Sequence, residues 1–286
     1  MRKILFVVIL PLAGCASLRP GAPLAVIDAH THTDFDDQPE RTSGIPNTLD
    51  EYLGQLRKAG AVGAVAHAHD LEAGYVDLGV HNVAHCAGIT ESPDLDKLEA
   101  GLKEGRFKCV KVYLGYIYRY AADPMYEPVY RLAEKYHVPV VFHTGDTYSV
   151  KGKLKYADPL TVDEVAVDHP RVDFVLAHCG NPWIESAAEV AYKNPNVYLD
   201  GSAMLIGNLD EQPITDVDTY MVKSLAWVFG YVEDPKKLMF GSDWPLTDIP
   251  SAVAAFKKAI PKEHWRAVFH DNAARVFGIK DKAQAK

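Results

Sequence analysis

The sequence predicts an α/β fold, a (β/α)8 or TIM barrel that forms one domain over residues 24–280. Eight short apolar runs recur along the chain, and nearly all are separated by helix-like segments. These runs are continuously apolar rather than alternating, which is typical of parallel strands buried on both faces. Histidine or aspartate follows several of the runs. A doubly wound open sheet is the alternative arrangement of the same units.

The predicted elements alternate from one end of this region to the other. Strands are expected at residues 24–29, 61–66, 83–89, 109–114, 138–142, 172–177, 197–199 and 238–240. Helices are expected at residues 49–58, 94–103, 124–136, 162–168 and 184–192, with a longer segment around 217–228. Active sites of TIM barrels lie at the carboxyl ends of the strands, so polar residues that follow a run are the candidates for chemistry.

Composition narrows the classes of function. The chain has 286 residues, of which 48% are apolar and 24% are charged, and this is ordinary for a globular enzyme. Its net charge of −8 offers no basic stripe to replace the counterions of a phosphate backbone. We therefore expect a small-molecule substrate and no nucleic-acid partner. Length and composition do not indicate an oligomeric state.

The first residues read as a targeting segment. Residues 1–14 combine a positive start with a short apolar run, and Leu12-Ala13-Gly14-Cys15 resembles the lipobox of bacterial lipoproteins. This predicts a signal peptide over 1–14, lipidation of Cys15 and a tether over 15–23. Ala16 then favours a lipid-anchored protein of the cell envelope, on the outer membrane facing the periplasm. An ordinary signal peptide with an accidental cysteine is the alternative.

The remaining cysteines are Cys86, Cys109 and Cys179, an odd number. No disulfide framework is expected from them. Cys86 and Cys109 lie in apolar runs and are interpreted as small buried hydrophobic residues. Cys179 follows a histidine and is a candidate for lining a site, although nothing near it indicates an activated nucleophile.

A metal site is suggested by the end of the first strand, Asp28-Ala29-His30-Thr31-His32. Side chains at positions i and i+2 of a strand point to the same side, so His30 and His32 would aim two imidazoles at one point. Such a pair suits a divalent ion such as zinc. Turn residues capping a strand are the alternative. His143, His178 and Asp243, each at the end of another apolar run, favour the metal site.

With these residues in place, the sequence resembles the metal-dependent amidohydrolase superfamily, in its amidohydrolase-related TIM-barrel branch. The resemblance covers nearly the whole mature chain. It is carried by six segments in order, namely residues 28–32, 110–113 (Val-Lys-Val-Tyr), 142–145 (Phe-His-Thr-Gly), 177–180 (Ala-His-Cys-Gly), 240–245 (Phe-Gly-Ser-Asp-Trp-Pro) and 272–277 (Asn-Ala-Ala-Arg-Val-Phe).

The resemblance implies one divalent metal ion, most simply Zn²⁺, held by His30, His32, His143 and Asp243. Asp243 would also act as the general base toward metal-activated water. His178 would polarise the carbonyl oxygen of the substrate or bind a second metal ion. Strand alternation points Lys111 into the barrel, where a structural ion pair, a catalytic role, or carboxylation and bridging of a second metal ion are the alternatives.

Other polar residues remain secondary candidates. His67 and His69 form a second His-x-His, which we interpret as pocket-lining or surface residues, with His69 on the surface. A loop rich in tyrosine follows the fourth strand and carries Arg119, a composition that suits a small organic acid. Its other members are Tyr116, Tyr118 and Tyr120, and the loop over residues 146–158 is a similar candidate.

The leading functional hypothesis is a metal-dependent hydrolase of a small carboxylic ester, lactone or amide. A metal-dependent decarboxylase or hydratase of a small unsaturated or aromatic acid is the alternative within the same branch. Its aromatic-acid decarboxylases often carry glutamate in place of the first histidine, so His30 favours hydrolysis. A surface lipoprotein that only binds zinc is a third hypothesis, and it lacks the expected histidine-rich loop.

Overall fold

The eight predicted strands pair in parallel and in chain order, and the prediction of a single-domain (β/α)8 barrel is confirmed. The computed structural model describes residues 23–72 and 76–280. Backbone hydrogen bonds from Ala29 to Phe240, at 2.9 Å, and from His32 to Trp244, at 2.7 Å, close the last strand on the first. The strands are β1 (Val26–Thr31), β2 (Ala61–His67), β3 (Val83–Ile89), β4 (Cys109–Val112), β5 (Val140–Phe142), β6 (Phe174–Leu176), β7 (Val197–Asp200) and β8 (Leu238–Met239).

Helices cover the outside of the barrel between successive strands, except between β2 and β3, where the described residues form one 3-10 turn, Gly79–His81. They are α1 (Leu49–Ala59), α2 (Leu95–Glu104), α3 (Glu127–Tyr136), α4 (Thr161–Asp168), α5 (Ile184–Lys193), α6 (Ile214–Asp216), α7 (Lys223–Tyr231), α8 (Ile249–Ala259) and α9 (Asn272–Phe277). A π-helical turn, Val217–Val222, joins α6 to α7, and a second one, Ala267–Asp271, runs directly into α9. Asp271 therefore lies inside a continuous helical segment, and its side chain does not cap α9.

Local sequence sets where the helices begin and end. Thr48 caps α1 by accepting a hydrogen bond from the backbone N–H of Glu51, and Asp94 caps α2 in the same way. Both helices end at a glycine with positive φ, namely Gly60 and Gly105. Residues that carry a side chain adopt this backbone conformation only with strain. These caps stop the helices at the point where the chain must return to the next strand.

Two apolar layers hold the barrel together. The outer layer packs the helices against the strands, with Phe142, Phe174 and Phe240 among its largest members. The inner layer fills the barrel with smaller side chains such as Ile27 and Val141, and α9 closes its amino-terminal end with Phe277 and its neighbours. The interior is therefore a packed core below the strand ends.

A disulfide joins Cys86 of β3 to Cys109 of β4, so the expectation that these residues are separate buried thiols was wrong. The two residues are direct partners in the parallel register, and both side chains point into the barrel. The two cysteines are 23 residues apart in the sequence and become neighbours through the register of β3 and β4. The spacing in the sequence does not reveal this register. Cys179 is a free, buried cysteine.

The predicted signal peptide, the lipidated Cys15 and all of the tether except Pro23 lie outside the described residues. Within residues 23–72 and 76–280, none of the helices combines the length and the apolar character needed to cross a bilayer.

Candidate metal centre

His30, His32 and Asp243 converge at the carboxyl end of the barrel. The Nε2 atoms of His30 and His32 lie 3.5 and 3.1 Å from the same oxygen of Asp243, Oδ1. His30 and Asp243 are buried, and His32 is nearly so. The structure thus brings the strand-one pair and the strand-eight carboxylate together, as closure of the barrel predicts.

An irregularity in β1 gives His30 its direction. Ile27 and Ala29 face the interior, so strict alternation would place Thr31 inside as well. Instead the register between β1 and β2 shifts between Asp28 and Thr31, and the Thr31 hydroxyl lies 3.0 Å from the hydroxyl of Tyr52 on α1. The shift turns Thr31 outward and allows His30 to point into the site.

The three predicted metal-binding histidines share one orienting pattern. His30 donates from Nδ1 to Oδ2 of Asp200, and His32 donates from Nδ1 to the carbonyl oxygen of His67, both at 2.9 Å. His143 donates from Nε2 to the carbonyl oxygen of Asp146 at 2.8 Å. A proton held on one ring nitrogen leaves a lone pair on the other nitrogen, which each ring turns toward the site. There Lys111 lies 3.2 Å from Nε2 of His30, and Nε2 of His178 lies 3.2 Å from Nδ1 of His143.

His143 and His178 lie side by side next to this group. Nδ1 of His143 is 3.2 Å from Nε2 of His178, and Nδ1 of His178 is 4.0 Å from Oδ2 of Asp243. Three groups of described residues have donor atoms within 4.8 Å of one another, and His143 belongs to none of them; the groups are His30, His32 and Asp243, then His30, His178 and Asp200, and then His32, Asp34 and His69. Its role as the fourth ligand stays a prediction.

Lys111 points into the barrel, as strand alternation predicted. Its ammonium group lies 3.2 Å from Nε2 of His30 and 5.3 Å from the centre of the Tyr113 ring. Burial lowers the pKa of Lys111 to about 8, while the carboxylates of Asp200 and Asp243 act in the opposite direction. A buried lysine in contact with a metal-site histidine belongs to the site itself.

Charge in the site is set by burial and by the clustered rings. Burial would raise the pKa of Asp243, but His30, His32 and His178 together lower it well below its usual value, so this carboxylate is ionised. Burial lowers the pKa of His30, and the nearby Lys111 ammonium lowers it further. Asp243 is therefore the fixed negative charge of the group, and His30 is neutral, as a metal ligand must be.

Backbone strain is concentrated at the same residues. Asp243 has φ of +65°, and His178 and Cys179 have φ of +62° and +47°. Non-glycine residues adopt this region rarely, and such strain persists where the surrounding structure imposes it. In this case Asp28 accepts a hydrogen bond from the backbone of Ser242 at 2.9 Å and holds the turn before Asp243.

The residues present fit a divalent metal ion. The imidazoles of His30 and His32 and the carboxylate of Asp243 already converge on one point, and His143 has one ring nitrogen fixed by a hydrogen bond in the same manner. Oδ1 of Asp243 is buried and has no well-formed hydrogen bond, although Nε2 of His32 lies 3.1 Å away. A buried carboxylate oxygen that faces two imidazole nitrogens suits a shared cation, and this donor set suits zinc.

Sequence reasoning missed Asp200 and Ser202. Asp200 ends β7, fixes His30, and also accepts hydrogen bonds from the backbone and the hydroxyl of Ser202. The Ser202 hydroxyl lies 2.9 Å from Nδ1 of His178. The sequence did contain a signal for Asp200. It is an acidic residue at the end of an apolar run, as are the other residues of the site.

A cavity of about 730 Å³ opens above the centre. His30, His32, His143, His178, Lys111 and Asp243 all line it. Tyr116 also lines it, but Tyr118, Arg119 and Tyr120 do not, and the Arg119 guanidinium pairs with Asp123 at 3.1 Å. Arg119, the residue of that loop expected to bind a small organic acid, is therefore not among the described residues that line the cavity.

The second His-x-His divides, and only His69 follows the expectation of a pocket-lining or surface residue, whereas for His67 that expectation was wrong. His67 is buried and donates from Nε2 to the carbonyl oxygen of Ala29 at 3.1 Å, beneath the ring of His30. His69 is exposed at the mouth of the cavity, where Nε2 lies 3.7 Å from Asp34. Neither residue belongs to the group formed by His30, His32 and Asp243.

Solved structures with the same architecture are known. A putative 2-pyrone-4,6-dicarboxylic acid hydrolase from Pseudomonas putida has a TM-score of 0.64 and 18% identity, covering 91% of this chain and 99% of its own. The 5-carboxyvanillate decarboxylase from Sphingomonas paucimobilis has a TM-score of 0.61 and 15% identity, covering 90% and 100%. An amidohydrolase from Burkholderia multivorans with bound zinc has a TM-score of 0.62 and 14% identity, covering 90% and 100%.

At these identities the likeness to solved structures concerns the fold alone. The comparison with curated proteins gives no match. The sequence profile of the amidohydrolase family, in contrast, matches residues 27–279, which is almost the whole barrel and includes every residue of the metal centre. The chain therefore belongs to the amidohydrolase family, an enzyme family whose hydrolases and decarboxylases act with the help of a metal ion.

Proposed function

We propose that this protein is a metal-dependent hydrolase of a small carboxylic ester, lactone or amide. One observation carries the proposal. His30, His32 and His143 each donate a hydrogen bond from one ring nitrogen to a fixed oxygen acceptor. The other nitrogen of each ring faces the cavity beside Asp243. This arrangement is the one that a metal ion with an open coordination position requires.

The proposed ligands are His30, His32, His143 and Asp243, with one Zn²⁺ as the simplest occupant and His178 with Lys111 available to a second ion. A bound divalent ion would supply Lewis acidity, which acidifies water and polarises a carbonyl oxygen. Asp243 is ionised and accepts the proton released when water attacks the carbonyl carbon. It then returns this proton to the leaving oxygen or nitrogen.

His178 and Lys111 act on the other side of the reacting group. His178 lies beside His143, and its ring, when protonated, would donate Nδ1–H to the Ser202 hydroxyl, which donates in turn to Asp200, and Nε2–H to the carbonyl oxygen. Lys111 supplies a buried positive charge at the inner end of the cavity. Both groups stabilise the negative charge that develops on the oxygen during attack.

The test is product analysis in water labelled with ¹⁸O. The purified protein is stripped with a chelator, reloaded with Zn²⁺ and offered a panel of esters, lactones and amides, together with aromatic and unsaturated carboxylic acids. Hydrolysis places one ¹⁸O atom in the acid product and requires the metal. Release of CO₂ from the acids, with no turnover of the other compounds, would show a decarboxylase instead.

We also propose that the mature protein is attached to the outer membrane through a lipidated Cys15 and faces the periplasm. The Leu12-Ala13-Gly14-Cys15 segment supports this, and so does the Cys86–Cys109 disulfide, because disulfides persist in oxidising compartments such as the bacterial periplasm. Intact-mass analysis tests it. An unmodified residue 15, or recovery of the native protein without membranes, would contradict the proposal.

A further inference from the structure

The two ends of the active-site cavity differ in charge. Lys111 is the only lysine or arginine among the described residues that line the cavity, and it is buried at the inner end beside His30. Four carboxylates other than Asp243 also line the cavity, and they belong to Asp34, Glu40, Glu91 and Asp146. Three of them, all except Glu40, are exposed, so they lie toward the mouth.

The carboxylates at the mouth share the cavity with three tyrosines, Tyr113, Tyr116 and Tyr148. The tyrosines form a continuous surface between the centre and the mouth. The rings of Tyr113 and Tyr116 lie 6.3 Å apart, and the ring of Tyr116 lies 4.9 Å from that of His143. The Tyr116 hydroxyl accepts a hydrogen bond from the backbone of Tyr148, whose own hydroxyl donates to Glu40 at 2.8 Å. Aromatic faces next to carboxylates are a setting that attracts organic cations.

Nearby cations are directed elsewhere. Arg119 pairs with Asp123, and the ammonium group of Lys153 lies 3.9 Å from the centre of the Tyr118 ring, neither of which lines the cavity. A carboxylate at the outer end of a substrate would thus meet the three exposed carboxylates, and among the described lining residues the lysine, Lys111, lies at the inner end. Like charges at this range disfavour binding.

We propose that the site takes a substrate whose reacting carbonyl lies at the metal centre and whose remote end carries a positively charged amino group. Tyr113, Tyr116 and Tyr148 would contact the body of such a substrate, and Asp34 and Glu91 would face its cation. This assignment of substrate class rests on the proposed function and goes beyond it. An amino-substituted ester, lactone or amide is preferred over one with a remote carboxylate.

Three phenylacetamides that differ only in the para group provide the test. The groups are trimethylammonium, tert-butyl, which has the same shape without charge, and carboxylate. Binding to the zinc-loaded protein is measured by isothermal titration calorimetry at 20 mM and 500 mM NaCl. We expect the ammonium compound to bind about 5–10-fold more tightly than the tert-butyl compound at low salt, and the carboxylate compound most weakly. The preference should shrink at high salt.

Matched variants assign the effect to the mouth. Asp34→Asn and Glu91→Gln should each weaken binding of the ammonium compound by about two- to fivefold, as expected for exposed charges, and should not affect the tert-butyl compound. Glu104→Gln, on the exposed end of α2, is the control and should change neither. Equal affinities for the three compounds, tightest binding of the carboxylate compound, or no binding of any of them would overturn the proposal.

Turnover separates this proposal from the proposed function. The methyl esters of the same three phenylacetic acids are offered to the zinc-loaded protein, and hydrolysis is followed separately from binding. Selective binding of the ammonium amide without hydrolysis of any ester would contradict the hydrolase and leave the substrate preference standing. Fastest hydrolysis of the carboxylate ester would support the hydrolase and overturn the substrate preference.

Discussion

Nδ1 of His30 lies 2.9 Å from Oδ2 of Asp200, and both side chains are buried inside the barrel. The contact joins β1 to the end of β7 across 170 residues of sequence. A carboxylate that accepts the Nδ1 proton fixes the tautomer and the ring plane and makes Nε2 a stronger donor to a metal ion. Asp200 is thus a positioning residue for the proposed centre, although it does not face the cavity.

Asp200→Asn is expected to weaken zinc binding by about 10–100-fold, the usual effect of removing such a partner. The amide keeps the size of the side chain but loses the charge that holds the Nδ1 proton. Zinc affinity is measured by competition with a chromophoric chelator. Asp210→Asn, at an exposed site, is the control and should bind zinc normally. An unchanged zinc affinity in Asp200→Asn would show that His30 is oriented by other contacts.

His143 and His178 are neighbours, yet we expect their substitutions to have different effects. His143→Gln should lose most of the bound zinc, because the fixed ring at this position is a proposed ligand. His178→Gln should keep the zinc and lower kcat by about 10²–10³-fold, as is typical for loss of a donor to the developing oxyanion. Metal content and turnover are measured on the same samples. Loss of zinc only in His178→Gln would show that His178 is the metal ligand and that His143 is not.

Asp243→Asn tests the general base. The amide keeps the shape and one oxygen that can bind a metal ion, but it cannot take a proton from attacking water. We expect kcat to fall by at least about 10²–10⁴-fold while the fold is retained. Saturating zinc should not restore the rate, which separates loss of the base from loss of the metal. Near-normal turnover would reduce Asp243 to a ligand.

The sequence was sufficient for the barrel and for much of the centre. His30, His32 and Asp243 meet because each ends a strand, and the ends of parallel strands share one rim. Closure of β8 on β1 then makes the first and last strands neighbours. The order of elements alone therefore predicted which distant residues come together.

Features that depend on register could not be predicted in this way. Cys86 and Cys109 are partners only because β3 and β4 pair in one particular register. Asp200 was overlooked because its role is to hold another residue, and a single carboxylate after a strand has many uses. Arg119 follows the right strand, but its side chain turns to Asp123, and such a choice is decided by rotamers rather than by strand order.

The Cys86–Cys109 disulfide is expected to stabilise the barrel. A cross-link of this kind contributes about 2–4 kcal/mol to the free energy of unfolding. Cys86→Ala combined with Cys109→Ala should lower that free energy by this amount in urea titrations, and its stability should not respond to reductant. The wild-type protein should lose a similar amount once reduced. Equal stability of reduced and oxidised wild type would show that the bridge is energetically neutral.

His85 is expected to make stability depend on pH. Burial lowers its pKa to about 4 from the ordinary 6.5, with the Asp77 carboxylate acting in the opposite direction. The neutral ring accepts a hydrogen bond from the backbone of Leu78. Between pH 4 and 6.5 the unfolded chain therefore binds more protons at this position than the folded chain, and the free energy of unfolding falls as the pH is lowered through this window.

This difference between the two pKa values changes the free energy of unfolding by about 3 kcal/mol when the pH crosses the whole window. His85→Gln keeps an acceptor for the Leu78 N–H but does not titrate, so its free energy of unfolding should fall less between pH 7 and pH 4.5 than that of the wild type. Urea titrations at both pH values measure the two slopes. Parallel slopes would mean that His85 is protonated in the folded protein as readily as in the unfolded chain, and that burial does not control its charge.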